Sequence, residues 1–64
     1  MISQRLLERL KNSIDKNIIL FLNGNFRFEG RIISCDDEFL EFWDTKKNLT
    51  KFVKLDEISE VGFF

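Results

Sequence analysis

Asp36, Asp37 and Glu38 are three consecutive carboxylates, and Lys46, Lys47 and Lys51 form a local group of amines. Carboxylate oxygens are ligands for hard cations, but calcium gathers about six to eight oxygens from a wider span than three neighbours on a turn. Paired acids do acid–base work only with a second group placed against them, and the chain contains no histidine. Cys35, the single cysteine, has no histidine to activate it and reads as a buried apolar filler. One thiol closes no internal disulfide and makes no structural zinc site. No catalytic residue, cofactor or metal is expected, and no small-molecule substrate; the chain does not read as an enzyme. The lysine group reads as a solubilising hairpin tip.

What remains is the chemistry of recognition. Phe39 is suited to stack an unpaired base, which is tolerant of base identity, or else closes the end of a core. Lys54 would neutralise a phosphate or stand as a solvated strand lysine. Asn23 and Asn25 either hydrogen-bond a ligand or serve a turn. Arg27 and Arg31 flank Glu29 on one strand face. With Arg5, Arg9 and Lys16 they would make a basic rim; the interposed Glu29 argues instead for solvated cross-strand pairs. Trp43 would stack a base, anchor an interface or sit half-buried on its strand. Ten basic and eleven acidic side chains leave the net charge near zero, which argues against a simple electrostatic nucleic-acid binder but not against a local patch.

The elements that carry these residues follow from periodicity. Ile2, Leu6, Leu10 and Ile14 recur every four residues and Leu7 widens the stripe, so Ser3 to Ile14 reads as an amphipathic helix with Ser3 as N-cap. The stripe is expected to pack on the rest of the fold rather than on a membrane. Ile18 to Leu22 reads as a strand and Asn23-Gly24-Asn25 as a turn. Phe26 to Cys35 is a long second strand, with Gly30 at a bulge or sharp bend. Asp36 to Glu38 is a polar turn, Phe39 to Asp44 the third strand, Lys46 to Asn48 a turn, Leu49 to Leu55 the fourth strand, and Ile58 to Gly62 a short fifth. The fold class is mostly β: an N-terminal α-helix (1–15) and a five-stranded, strongly bent antiparallel barrel of SH3-like type (17–62), within a single domain (1–64).

A domain of 64 residues buries only about 60% of the surface its unfolded chain exposes. With no disulfide or metal available, oligomerisation is the remaining source of stability. A five-stranded bent sheet leaves unpaired edges, and an edge is a template for another chain. Edge-to-edge pairing into a homo-oligomeric ring removes the edges. Candidate interface residues are Leu49, Phe52, Val53, Ile58 and Val61, with Phe63 and Phe64 at the terminus. Eight phenylalanines and no tyrosine fit a chain whose rings go to core or interface. No stretch approaches the roughly 20 apolar residues of a membrane span, the N-terminus has no signal-peptide core, and the free cysteine fits a reducing compartment; the cytoplasm is the expected location.

The order of these features resembles the Sm-like superfamily (LSm and Hfq-like proteins). The residues that carry the likeness are Leu22-Asn23-Gly24, then Phe28-x-Gly30-x-Ile32, then Asp37-Glu38-Phe39-Leu40-Glu41-Phe42, and at the second motif Val53-Lys54-Leu55-Asp56-Glu57-Ile58-Ser59-Glu60-Val61. The resemblance implies an RNA-binding ring, with the loops after strands two and four at the RNA. With Asp37 as the motif aspartate, Phe39 takes the family's base-stacking position; with Asp36, Glu38 takes it and stacking is lost. The family's base-reading asparagine is replaced by Glu41 or Leu40. Lys54 stands for the motif arginine, a point charge in place of a planar fork, and Leu55 for its glycine. Two readings follow: a ring that binds short single-stranded RNA, or an Sm-fold scaffold ring that has lost RNA binding. A monomeric SH3-like peptide binder would need an exposed aromatic groove that the sequence does not supply.

Overall fold

The computed structural model describes residues 2–64. One helix, α1 (Gln4–Lys11), precedes five strands: β1 (Asn17–Leu22), β2 (Phe26–Cys35), β3 (Phe39–Asp44), β4 (Leu49–Lys54) and β5 (Ile58–Phe63), with a 3-10 turn at Leu55–Glu57. The strands form one antiparallel sheet in the order β4-β3-β2-β1-β5. The fold class read from the sequence is the one observed. β4 and β5 are its two edges.

The helix starts where expected, with Ser3 Oγ accepting from the Leu6 amide at 3.1 Å. It ends at Lys11 rather than Ile14. Asn12 takes the C-cap, the Ser13 hydroxyl donates to the Arg9 carbonyl at 2.6 Å, and Asp15 adopts a left-handed φ of 66°. The Asn12 and Ser13 amides and the Ser13 hydroxyl satisfy the last carbonyls, and the helix stops. Ile14 therefore leaves the apolar stripe and is exposed, while Leu7 and Leu10 are buried. The segment after the helix is tied to β2: the Asp15 amide donates to the Ile32 carbonyl at 2.7 Å, and the Ile32 amide to the Lys16 carbonyl at 3.1 Å.

Leu7, Leu10, Ile18, Leu20, Ile32, Leu40, Phe42, Val53 and Leu55 make the core. The period-2 alternation brings Ile18 and Leu20 of β1 and Leu40 and Phe42 of β3 into it together. At Gly30 the long β2 strand lies close against β3. A Cβ on it would overlap the Trp43 carbonyl oxygen and press on the Phe42 ring, so only glycine admits this close approach, and the bulge or bend expected at this glycine is not found there. A register shift between Ile32 and Ser34 marks a bulge further along β2, which sharpens the local twist. Gly24 (φ 86°) and Asn25 (φ 67°) turn β1 into β2. β4 stops at Lys54, one residue short of the expected end, because Leu55 begins the 3-10 turn and is buried. β5 runs one residue further, to Phe63. Among the described residues no helix is long and apolar enough to cross a membrane.

Candidate nucleic-acid interface

Three turns meet at one end of the barrel. The Leu55 amide donates to the Glu38 carbonyl at 2.9 Å, joining the β2–β3 turn to the β4–β5 turn. The Asn23 amide donates to the Glu57 carbonyl at 2.8 Å, adding the β1–β2 turn, and the Asn23 side-chain amide reaches the Asp56 carbonyl at 3.5 Å. The loops after strands two and four are thus held together by backbone hydrogen bonds. Asn23 serves the turns that carry the site.

Asp36 shapes the β2–β3 turn. Its Oδ1 accepts from the Glu38 and Phe39 amides, both at 2.7 Å, and its own amide donates to the Phe39 carbonyl at 3.0 Å. The Phe39 amide, and after it that of Glu38, holds the carboxyl below the usual aspartate range. This side-chain turn delivers Phe39 to the head of β3, where its ring is 40% exposed. Phe39 is therefore not spent in the core. Directly opposite it on β4 stands Lys54, also exposed. Stacking surface and cation are cross-strand neighbours at the mouth of the joined turns.

Asp37 points elsewhere. It accepts from Lys11 Nζ at 2.6 Å, and that hydrogen bond raises the Lys11 pKa. Glu41 accepts from the Ser34 hydroxyl at 2.8 Å. Cys35 is partly buried and packs against the core, short of the fully buried filler expected. Its Sγ donates to the Asp36 carbonyl at 3.4 Å, and burial pushes its thiol pKa up.

The basic residues do not converge here. Arg9 lies 4.4 Å from the centroid of the Phe63 ring, and Arg5 and Lys16 border the same terminal aromatics from the helix side. Arg27 sits 3.9 Å from Glu29 and over the Phe21 ring at 6.0 Å. Arg31 is exposed opposite Asn17 on β1. Around Phe39 and Lys54 the turns carry Asp36, Asp37, Glu38, Asp56 and Glu57 instead.

Of the interface candidates, Leu49 (42% exposed) and Phe52 (68%) lie open on the β4 edge, and Phe64 is open at the terminus. Val53 is not an interface residue of this kind: it faces inward and is buried in its own core. Ile58, Val61 and Phe63 pack partly against that core.

Asp44 was not singled out by sequence reasoning. It is buried, at 2% exposure, accepts from the Lys46 and Lys47 amides at 3.1 Å each, and pairs with Lys51 Nζ at 3.2 Å. Those donors, the Lys47 amide foremost, lower its pKa. Lys51 also lies 3.7 Å from the Phe28 ring centroid. Lys51 is therefore a packed, paired cation rather than part of a solvated hairpin tip. The available signal was an aspartate at the first position of a polar turn, where its carboxylate caps the following amides.

No protein-family model matches the chain, and no curated protein does. Solved structures match it. One is a crystal structure of Hfq, described as a pleiotropic translational regulator, with a TM-score of 0.72 over 91% of this chain and 92% of that one, at 17% identity. The chain has the Sm-like fold. At that identity the likeness is one of fold.

Proposed function

We propose that copies of this chain assemble through their β4 and β5 edges into a closed homo-oligomeric ring that binds short single-stranded RNA at the joined turns. One unpaired base stacks on each Phe39, and Lys54 beside it meets the phosphate backbone. The observation that carries this reading is the exposed Phe39 ring, held by the Asp36 turn directly opposite Lys54. Stacking contributes about 1–3 kcal/mol per base and does not depend on net charge, so a near-neutral chain can bind. Repetition around a ring multiplies the weak single contact through effective concentration. The fold likeness to a translational regulator supports an RNA partner. The protein works without cofactor or membrane, in the cytoplasm.

A second reading, a protein-interaction ring of the same fold, draws on the five carboxylates of the same turns and on Glu41 at the asparagine position. Binding of labelled oligo(U) and oligo(A) at two salt concentrations, with native mass recorded on the same sample, separates the two. The RNA reading predicts binding by a ring-sized species that weakens with salt and is lost in Phe39→Ala. A ring that takes up neither oligonucleotide would favour the scaffold.

A further inference from the structure

The β3–β4 ladder has a second face that the core does not use. Leu40, Phe42 and Val53 point inward and are buried, so alternation turns Phe39, Glu41 and Trp43 of β3 and Thr50, Phe52 and Lys54 of β4 outward. The register sets Phe39 opposite Lys54, Glu41 opposite Phe52 and Trp43 opposite Thr50. Phe52 is 68% exposed, more than any other aromatic within a strand. It is the diagonal neighbour of Phe39, at a spacing of about 7–8 Å that long side chains bridge. Two exposed rings therefore share one sheet face, with Glu41 across the ladder from the second. The Ser34 hydroxyl donates to Glu41 Oε1 at 2.8 Å, and no ion pair reaches that carboxylate among the described residues. An ionised carboxylate has about four acceptor sites and no donor, so both oxygens remain able to accept.

We propose that this face is a two-base platform: one base of a single-stranded RNA stacks on Phe39, the next stacks on Phe52, and Glu41 reads the second as guanine. This inference rests on the RNA reading of the Phe39 and Lys54 site and extends that site along the sheet. Sheet-based RNA modules stack two or three bases on their aromatics in this way. Stacking itself is blind to base identity, so selectivity falls to Glu41. Guanine presents two adjacent donors on its pairing edge, N1–H and the 2-amino group, and a carboxylate meets them with two oxygens in a charge-assisted pair. Uracil presents one donor flanked by two carbonyl oxygens, which the carboxylate repels; adenine and cytosine offer a single amino group. Uracil still stacks, so a uracil strand binds, but more weakly. Pairing of β4 with a neighbouring copy uses the backbone groups of the strand edge and leaves this face open.

The test is fluorescence anisotropy with labelled short U-rich oligonucleotides carrying uracil, guanine, adenine or inosine at one position, with native mass recorded for each variant. The guanine oligonucleotide is expected to bind about tenfold tighter than the all-uracil one. Inosine, which lacks the 2-amino group, loses most of that gain. Glu41→Gln replaces an acceptor-only group by one that also donates, and it brings the guanine and uracil oligonucleotides to within about twofold of each other, with the assembled mass unchanged. Phe52→Ala weakens binding of all four at unchanged mass. Equal binding of the four by the unaltered protein, or a guanine preference that survives Glu41→Gln, would overturn the proposal and leave the Phe39 site standing. A Phe52→Ala variant that falls to monomers would place Phe52 between copies and overturn the platform. An unaltered protein that binds none of the four would overturn the RNA reading and this inference together.

Discussion

Phe39 and Lys54 are direct cross-strand partners at the open end of the β3–β4 ladder, and the turn that presents Phe39 is closed by the Asp36 carboxylate. The consequence is a division of labour on one short turn. Asp36 holds the backbone, Asp37 anchors the turn to α1 through Lys11, and Phe39 is left exposed.

Phe39→Ala is expected to abolish detectable oligonucleotide binding with little change in fold, since the ring is 40% exposed and stacking supplies about 1–3 kcal/mol per base. Fluorescence anisotropy with labelled oligo(U), beside a thermal melt, checks both halves.

The salt dependence of that binding should be shallow. Each neutralised phosphate on a single strand contributes a log–log slope of about −0.7, and Lys54 is the one cation at the joined turns not already paired to a carboxylate of its own chain among the described residues. A slope corresponding to about one phosphate per subunit or fewer is expected from anisotropy titrations at several salt concentrations.

Acid should destabilise the fold through two named groups. Asp36 and Asp44 have folded-state pKa values below their ordinary ones. Each therefore stabilises the fold above the ordinary carboxylate range near 3.8, and that contribution is lost as pH falls through the folded values. Lys11 behaves oppositely: its pKa is raised from 10.5, so its contribution is present below that value and fades as pH climbs through the raised one. Thermal melts across pH should show D44N flattening the acid limb alone. At neutral pH, Asp44→Ala removes the cap of the β3–β4 turn and the partner of Lys51. The expected cost of about 1–2 kcal/mol would lower the melting point of so small a domain by roughly 5–15 °C.

Gly30→Ala should be the most damaging single methyl in the chain. The added Cβ has the Trp43 carbonyl in its place, and overpacking of that kind costs about 3 kcal/mol in a fold of marginal size. Soluble yield and chemical denaturation would report it; an alanine variant as stable as the parent would mean that β2 and β3 cross less closely than described.

The strands and the edges were legible because alternation and turn residues are local signals; the interior glycine marked a close approach to β3, while the bulge itself fell further along β2, between Ile32 and Ser34. The helix end was misread: the stripe ran on to Ile14, but Asn12 and Ser13 compete for the backbone and a left-handed Asp15 redirects it. Val53 was assigned to an interface because the sequence shows an apolar strand residue and not which face it takes. The spread of the arginines was equally hidden, since it depends on which strand face and which end of the barrel each one occupies. Asp44 was passed over because an aspartate closing a strand looks solvated until the following amides are seen to fold over it.

The measurement that bears most directly on the central claim is native mass spectrometry of the purified protein with and without oligo(U), repeated at low and raised salt. A ring-sized species that takes up the oligonucleotide at low salt and releases it as salt is raised is the result predicted. A monomer at all concentrations, or a ring that binds no oligonucleotide at either salt, would contradict it.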